Sequence, residues 1–186
     1  MSYTLKDVFY LDAQINTQAT TVGNGAEALD LSAYIDPIAK GRSRGVGLAV
    51  YKVHFDVVDD TGNQPVAPTT TGQFRCGLIA NPGIGSNDVS GSFALSAGIL
   101  RASNDLMIAG FDYMAPGTST SDPSNFRQYV MPSTEVPYIV VRDSIALCLD
   151  VTTGFSNAAT VSMRMECAQV SLDQATLNQL LRTQTV

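Results

Sequence analysis

His54 is the single histidine of the chain, and its neighbours decide whether it can do chemistry. It stands in AVYKVHFDVVDDTGNQP, where Ala49, Tyr51, Val53, Phe55 and Val57 are apolar or aromatic and Lys52, His54 and Asp56 lie between them. Successive strand side chains point to opposite faces, so this is the alternation of a half-buried strand. His54 is expected on its polar outer face, solvated or paired across strands. A Ser–His–Asp triad would have to use His54, yet no G-x-S-x-G accompanies it.

Other residue types that could carry chemistry fare similarly. Asp56, Asp59 and Asp60 in DVVDDTGN could hold a calcium ion between loop carboxylates, but the spacing is not that of an EF-hand and reads better as an Asp-rich hairpin tip. A metal-binding jelly roll of the cupin type needs several histidines. No phosphate-cradling G-x-x-x-x-G-K-[ST] or G-x-G-x-x-G is present. Paired carboxylates for glycosidic cleavage converge only in space, where sequence is silent. Accordingly no catalytic residue, metal ligand, cofactor or small-molecule substrate is assigned. The chain has no tryptophan. Tyr113, Phe126 and Tyr129, flanking a long loop, are the best aromatics for a glycan or receptor contact, or else anchor that loop on the core.

Cys76, Cys148 and Cys167 fit no zinc spacing. Cys148 opposes the larger apolar set Ile145, Leu147, Leu149 and Val151, whereas Cys167 belongs to the inward set Val161, Met163 and Met165. A disulfide between them is therefore not expected, and all three read as reduced packing residues.

Composition narrows the class. The 186 residues are 45% hydrophobic and 15% charged, with a net charge of −6. That is most simply one globular domain able to bury roughly 70% of its unfolded surface. An acidic balance argues against direct binding to a phosphate backbone. The basic cluster KGRSRG, Lys40 to Gly45, reads as a solvated loop. The only lysines are Lys6, Lys40 and Lys52, and the only glutamates Glu27, Glu135 and Glu166. An acidic, lysine-poor surface suits high salt, where self-repulsion is screened. MSYTLKDVFYLDAQ has no apolar h-region, so no cleaved export signal is expected. Val89 to Leu100 is too short and too rich in Ser and Gly to span a bilayer.

The elements that must position these residues are short strands between Gly, Pro, Ser, Thr and Asn clusters. Strands are expected at Val8 to Ile15, Ala28 to Ile35, Gly47 to Val58, Gly72 to Ala80, Asp105 to Met114 and Ala159 to Val170. Phe93 to Leu100 is ambiguous between strand and helix, and Val136 to Val151 is two short strands or one bent around Arg142 to Ser144. Ser171 and Gln174 have capping-box spacing, and Leu177, Leu180 and Leu181 recur at helical spacing, so a C-terminal helix is expected. Its leucine stripe fits packing on the chain's own barrel or on a partner. About seven to nine strands plus one helix indicate an all-β single jelly-roll sandwich or barrel. One domain over 1–186 is expected, with an arm and early strands at 1–40, a strand body at 47–170 and a helix at 171–183.

A strand-dense body with long Ser/Thr/Gly/Pro loops and few charges resembles single jelly-roll viral coat proteins. More narrowly, LDLSAYIDP leading into GLAVYKVHFDV, and the closing ATVSMRMECAQVSL, resemble the small major capsid protein of icosahedral, internal-membrane viruses of halophilic archaea. The resemblance spans about Ala28 to Val170. It implies a vertical β-barrel subunit of the virion, made in the host cytoplasm, that self-associates and pairs with a second, larger capsid protein over a lipid vesicle. Met1 to Ala39 contains only Lys6 as a base. A coat built this way would not touch the genome. The alternative from another class is a β-sandwich binding module for a glycan or receptor.

Overall fold

The computed structural model describes residues 7–36, 44–67, 69–81, 83–117 and 125–184. They form strands β1 (Phe9–Asn16), β2 (Gly23–Asp30), β3 (Arg44–Asp59), β4 (Thr71–Ile79), β5 (Asn87–Ser90), β6 (Met107–Pro116), β7 (Asn125–Val130), β8 (Tyr138–Val140), β9 (Ser144–Thr153) and β10 (Ala159–Asp173), and helix α1 (Gln174–Thr183). One sheet has the order β1-β10-β3-β8 and the other β5-β2-β9-β4-β6-β7. Neighbouring strands within both sheets are antiparallel. Setting aside the edge strands β5 and β7, the chain interlaces two four-stranded sheets, β1-β10-β3-β8 and β2-β9-β4-β6. Two interlocked Greek keys of this kind make a jelly roll. The all-β jelly-roll sandwich with a short C-terminal helix expected from the sequence is the observed fold.

The inner faces meet in an apolar core. Phe55 of the first sheet packs on Phe111 of the second with ring centroids 4.7 Å apart. Phe111 stands edge-on to Phe74 at 5.6 Å, and Phe74 contacts Phe155 at 5.7 Å. Phe155, in the β9–β10 connection, is fully buried. It has room because Gly72 faces it: a Cβ there would lie 2.5 Å from the ring. Its backbone carbonyl accepts from the N–H of Thr20 at 2.7 Å, which ties the β1–β2 connection to the same point.

The strand reading needs one parity correction. The register of β3 on β10 shifts between Glu166 and Cys167, whose partners are Lys52 and Val50. The residue left over at this bulge reverses the faces. Val53, Phe55 and Val57 point inward as expected, but before the bulge Leu48 and Val50 do so, and Ala49 leaves the main core. Both parities are apolar there, so alternation could not reveal the switch.

Other differences have similarly local causes. The strand expected at Ala28 to Ile35 begins at Gly23 and stops at Asp30, whose carboxylate accepts from the Ser32 N–H at 2.8 Å and starts a turn. Phe93 to Leu100 is neither strand nor helix but a run of loop and turn. Val136 to Val151 resolves into β8 and β9, placed in different sheets. Strands β5 and β7 are additional to the elements that the sequence pattern predicts.

The helix begins later than 171. β10 runs through Asp173, and it is the Asp173 carboxylate, not Ser171, that caps α1 by accepting from the Thr176 N–H at 2.8 Å. Leu177 is fully buried and Leu180 and Leu181 partly so, with α1 against β10 and β3. The leucine stripe thus packs on the chain's own sheet. Just past the helix, the buried Gln184 side chain donates to the Ile139 carbonyl at 2.6 Å and accepts from the Val141 N–H at 3.1 Å. Its amide does for β8 what a further strand would do.

Phe155→Ala should cost about 3–5 kcal/mol, because it empties a fully buried site at which the six-stranded sheet and two connections meet. Urea unfolding should show a lower midpoint with a similar slope; a change under about 1 kcal/mol would mean the site collapses or the ring is not an anchor.

Candidate functional site

His54 projects from the outer face of the four-stranded sheet, as expected. Its partner is neither Lys52 nor Asp56 but Glu166 of β10, whose carboxylate oxygen lies 2.8 Å from Nε2. The ring is 45% exposed. An exposed histidine paired across strands is ordinary sheet chemistry, in which such pairs contribute only tenths of a kcal/mol to about 1 kcal/mol.

The register arranges this face in rows. Tyr10, Glu166 and Lys52 lie side by side, then Asp12, Arg164 and His54, then Gln14, Ser162 and Asp56. The short Ser162 leaves a shallow groove of about 450 Å³ bordered by Asp12, Gln14, His54, Asp56 and Arg164. The Arg164 guanidinium lies 5.5 Å from the Tyr10 ring centroid, and that ring is 57% exposed. This combination of donors, acceptors and one aromatic face was invisible in sequence, because its members come from three distant strands.

The outer face of the six-stranded sheet is different. Residues 91–106 cross it and bury Ile99, Leu100 and Leu106 with Ala26, Ile79, Met107, Ala146 and Cys148 in a second apolar cluster. Two paired glycines, Gly77 and Gly110, allow the close approach. A Cβ at Gly77 would lie 2.8 Å from Leu100, and one at Gly110 would lie 2.5 Å from the Tyr129 ring. The Tyr129 hydroxyl reaches the carbonyls of Cys76 at 3.2 Å and Leu100 at 3.1 Å. Burial pushes its pKa well up.

Beside this cluster a polar row crosses five strands: Asn24, Asp150, Arg75, Asp112 and Arg127 stand successively opposite one another. Arg75 donates to both Asp112 oxygens, from Nε at 2.6 Å and Nη2 at 3.0 Å, the bidentate fork that makes Arg–carboxylate pairs directional. Its guanidinium also lies over the Tyr129 ring at 4.7 Å.

Of the aromatic candidates, Tyr113 and Phe126 stand opposite each other on the core side of β6 and β7, and Tyr129 is not with them. Tyr113 is in the core, stacked on Phe74 at 5.4 Å. Phe126 stacks on Phe111 at 4.6 Å from the rim of the core, 42% exposed. Tyr129 is on the other side of the sheet. Asp59 closes the hairpin tip, accepting from the Thr61 hydroxyl at 2.7 Å, which holds its carboxyl below the usual range. No group of three or more metal-ligating side chains is found among the described residues. Of the basic cluster, Lys40 to Ser43 lie outside the described residues, and Arg44 and Gly45 open β3.

All three cysteines are free and buried. Cys148 faces the outer cluster, Cys76 and Cys167 the inter-sheet core, and β9 and β10 belong to different sheets. Burial raises the thiols of Cys148 and Cys167 to about 12. At pH 8 they are protonated and shielded, and the thiolate is the reactive form. The folded protein should therefore react with a thiol-specific disulfide reagent at least about a hundredfold more slowly than the same chain in denaturant. Rapid labelling of the folded chain would contradict this burial.

No protein-family model matches the chain, and no curated protein matches it. Solved structures do. Trichodysplasia spinulosa-associated polyomavirus VP1, in complex with GM1 oligosaccharide, matches with a TM-score of 0.42 and 7% identity over 94% of this chain and 97% of that one. Merkel cell polyomavirus VP1, in complex with disialyllactose, has a TM-score of 0.38 and 8% identity over 91% and 96%. A semi-empty virus-like particle of the Macrobrachium rosenbergii nodavirus has a TM-score of 0.34 and 12% identity over 90% and 94%. These similarities transfer no function, so the functional reading rests on this chain's own topology and surfaces.

Proposed function

We propose that the chain is a structural coat subunit of a virion, working through contacts with copies of itself rather than through catalysis. The observation that supports this most directly is the jelly-roll connectivity, an architecture used by viral coats, lectin domains and cupins. The cupin use requires a histidine-rich metal site, and the single histidine here is exposed and paired with Glu166. The remaining uses are shell-building and glycan recognition. The scarcity of bases fits a shell that does not contact nucleic acid. The resemblance noted in the sequence reaches further, to a second coat protein and a lipid vesicle in viruses of halophilic archaea. The polyomavirus and nodavirus matches lend nothing to that part, and the proposal is confined to self-association. Sedimentation velocity of the purified chain from low to molar salt is the test. Discrete capsomer-sized species or closed shells are expected under at least one condition; a monomer throughout would overturn the reading.

A second reading, glycan binding, has one observation in its favour: the polar groove beside Tyr10. Asp12 and Asp56 can accept from vicinal hydroxyls, Gln14 and Arg164 can donate, and the exposed ring offers a face for a sugar. On this reading Arg164→Ala should weaken binding of a sialylated or neutral oligosaccharide by roughly tenfold or more in saturation-transfer NMR titrations. Absence of transfer from every sugar in a panel of both kinds would remove it.

A further inference from the structure

The two ends of the six-stranded sheet complement each other. Among the described residues, β7 pairs only with β6, and β5 only with β2. Exposed strand edges present unpaired N–H and C=O groups and are templates for strand addition. We propose that the β7 edge of one copy pairs antiparallel with the β5 edge of the next, carrying the sheet from subunit to subunit. The inference rests on the coat reading and gives it a specific contact.

Strand direction permits this. Every neighbour in the sheet is antiparallel and the sheet has six strands, so its two edge strands run in opposite directions. A second copy placed beside the first, with the same face outward, brings β5 antiparallel to β7. No inversion of either molecule is needed.

Side chains select the register. The row through Asn24, Asp150, Arg75 and Asp112 ends on β7 at Arg127, which is exposed on the outer face. On β5, Asn87 and Ser90 stand opposite the outward Ala26 and Asn24. The two residues between them share one partner position in a bulge, where Val89 is buried in the inter-sheet core and Asp88 is exposed at the strand's open edge. Setting Arg127 opposite Asp88 places Phe126 opposite Val89 and Asn125 opposite Ser90. The first pair continues the alternation of charge, the second joins two inward apolar side chains, and the third matches two small polar ones. Phe126, 42% exposed on β7, would lose water in such a contact. Pairing β7 with another β7 is the competing arrangement. With the same face outward it sets Arg127 of one copy against or diagonal to Arg127 of the other, which is repulsive.

Head-to-tail pairing is heterologous, so each copy has one donor and one acceptor edge and can form rings or extended arrays. An isologous contact would stop at a dimer.

Charge exchange and covalent trapping test the contact. Arg127→Glu and Asp88→Arg should each weaken association about tenfold or more in sedimentation velocity, and the double exchange should restore most of it. Directly opposed strand positions are within disulfide reach. A chain carrying both Ser90→Cys and Asn125→Cys should therefore give a ladder of oxidised oligomers on a non-reducing gel. Chains carrying one substitution each should give dimers only when mixed. Association unaffected by the charge variants, with no ladder, would overturn this contact while leaving the coat reading in place. Dimers from Asn125→Cys alone would assign β7 to a contact with itself and overturn the head-to-tail arrangement. A wild-type chain monomeric at every salt, with no ladder, would overturn both.

Discussion

The contact of Phe55 with Phe111 joins the sheets across the core, and the rest of the structure depends on keeping their inner faces dry together. Burial of apolar area is the main favourable term available to such a domain. Here it recruits side chains from nearly every strand. The bulge near Tyr51 follows from the same demand. β3 is sixteen residues long, and by reversing its parity it keeps Leu48 and Val50, as well as Val53 and Phe55, in the core. Connections are subject to it too. Phe155 inserts between turns only because Gly72 leaves space, and Thr20 adopts a positive φ of 59° while bonding to the Phe155 carbonyl. That conformation is unfavourable for a β-branched residue and persists where its surroundings over-determine it.

Once the inner faces are sealed, the chain treats its remaining surfaces unequally. Residues 91–106 cover one outer face with a second apolar cluster, and α1 and Gln184 cover one end of the other sheet and the β8 edge. The rest of the four-stranded face is polar and alternates in charge, the usual condition of a sheet against water. Among the described residues, the large apolar side chains left exposed are Tyr10, Val22, Met114, Phe126 and Val136, and Phe126 lies on the edge strand β7. Among the described residues one side-chain amide is spent on the edge of β8 while β1, β5 and β7 are left open, and of these β5 and β7 close the two ends of one sheet.

Legibility in the sequence followed the range of the interactions. β10 and the later half of β3 were plain, because alternation is local and their outward residues, such as Lys52, His54, Arg164 and Glu166, are polar. β5 and β7 were missed because NDVS and NFRQYV are short, polar and half solvated, so their strand character comes from pairing. The cap lies two residues past the expected one because Ser171 and Asp173 are both good caps, and only the reach of β10 decides between them. The Asn24–Asp150–Arg75–Asp112–Arg127 row, and the groove beside Tyr10, need five and three strands in register respectively. No spacing rule can see them. The aromatic trio is split for a related reason: parity puts Tyr113 and Tyr129 on opposite faces, so the three do not share one surface.

Function, on this account, is a property of edges and faces rather than of one reacting centre, and the jelly roll supplies rigidity for repeated contacts. Amide hydrogen exchange, compared between the dilute chain and the chain under assembling conditions, tests that claim most directly. The account predicts new protection concentrated in Asn125–Val130 and Asn87–Ser90, with the inter-sheet core unchanged. Assembly that leaves both segments exchanging as fast as in the dilute chain would contradict it.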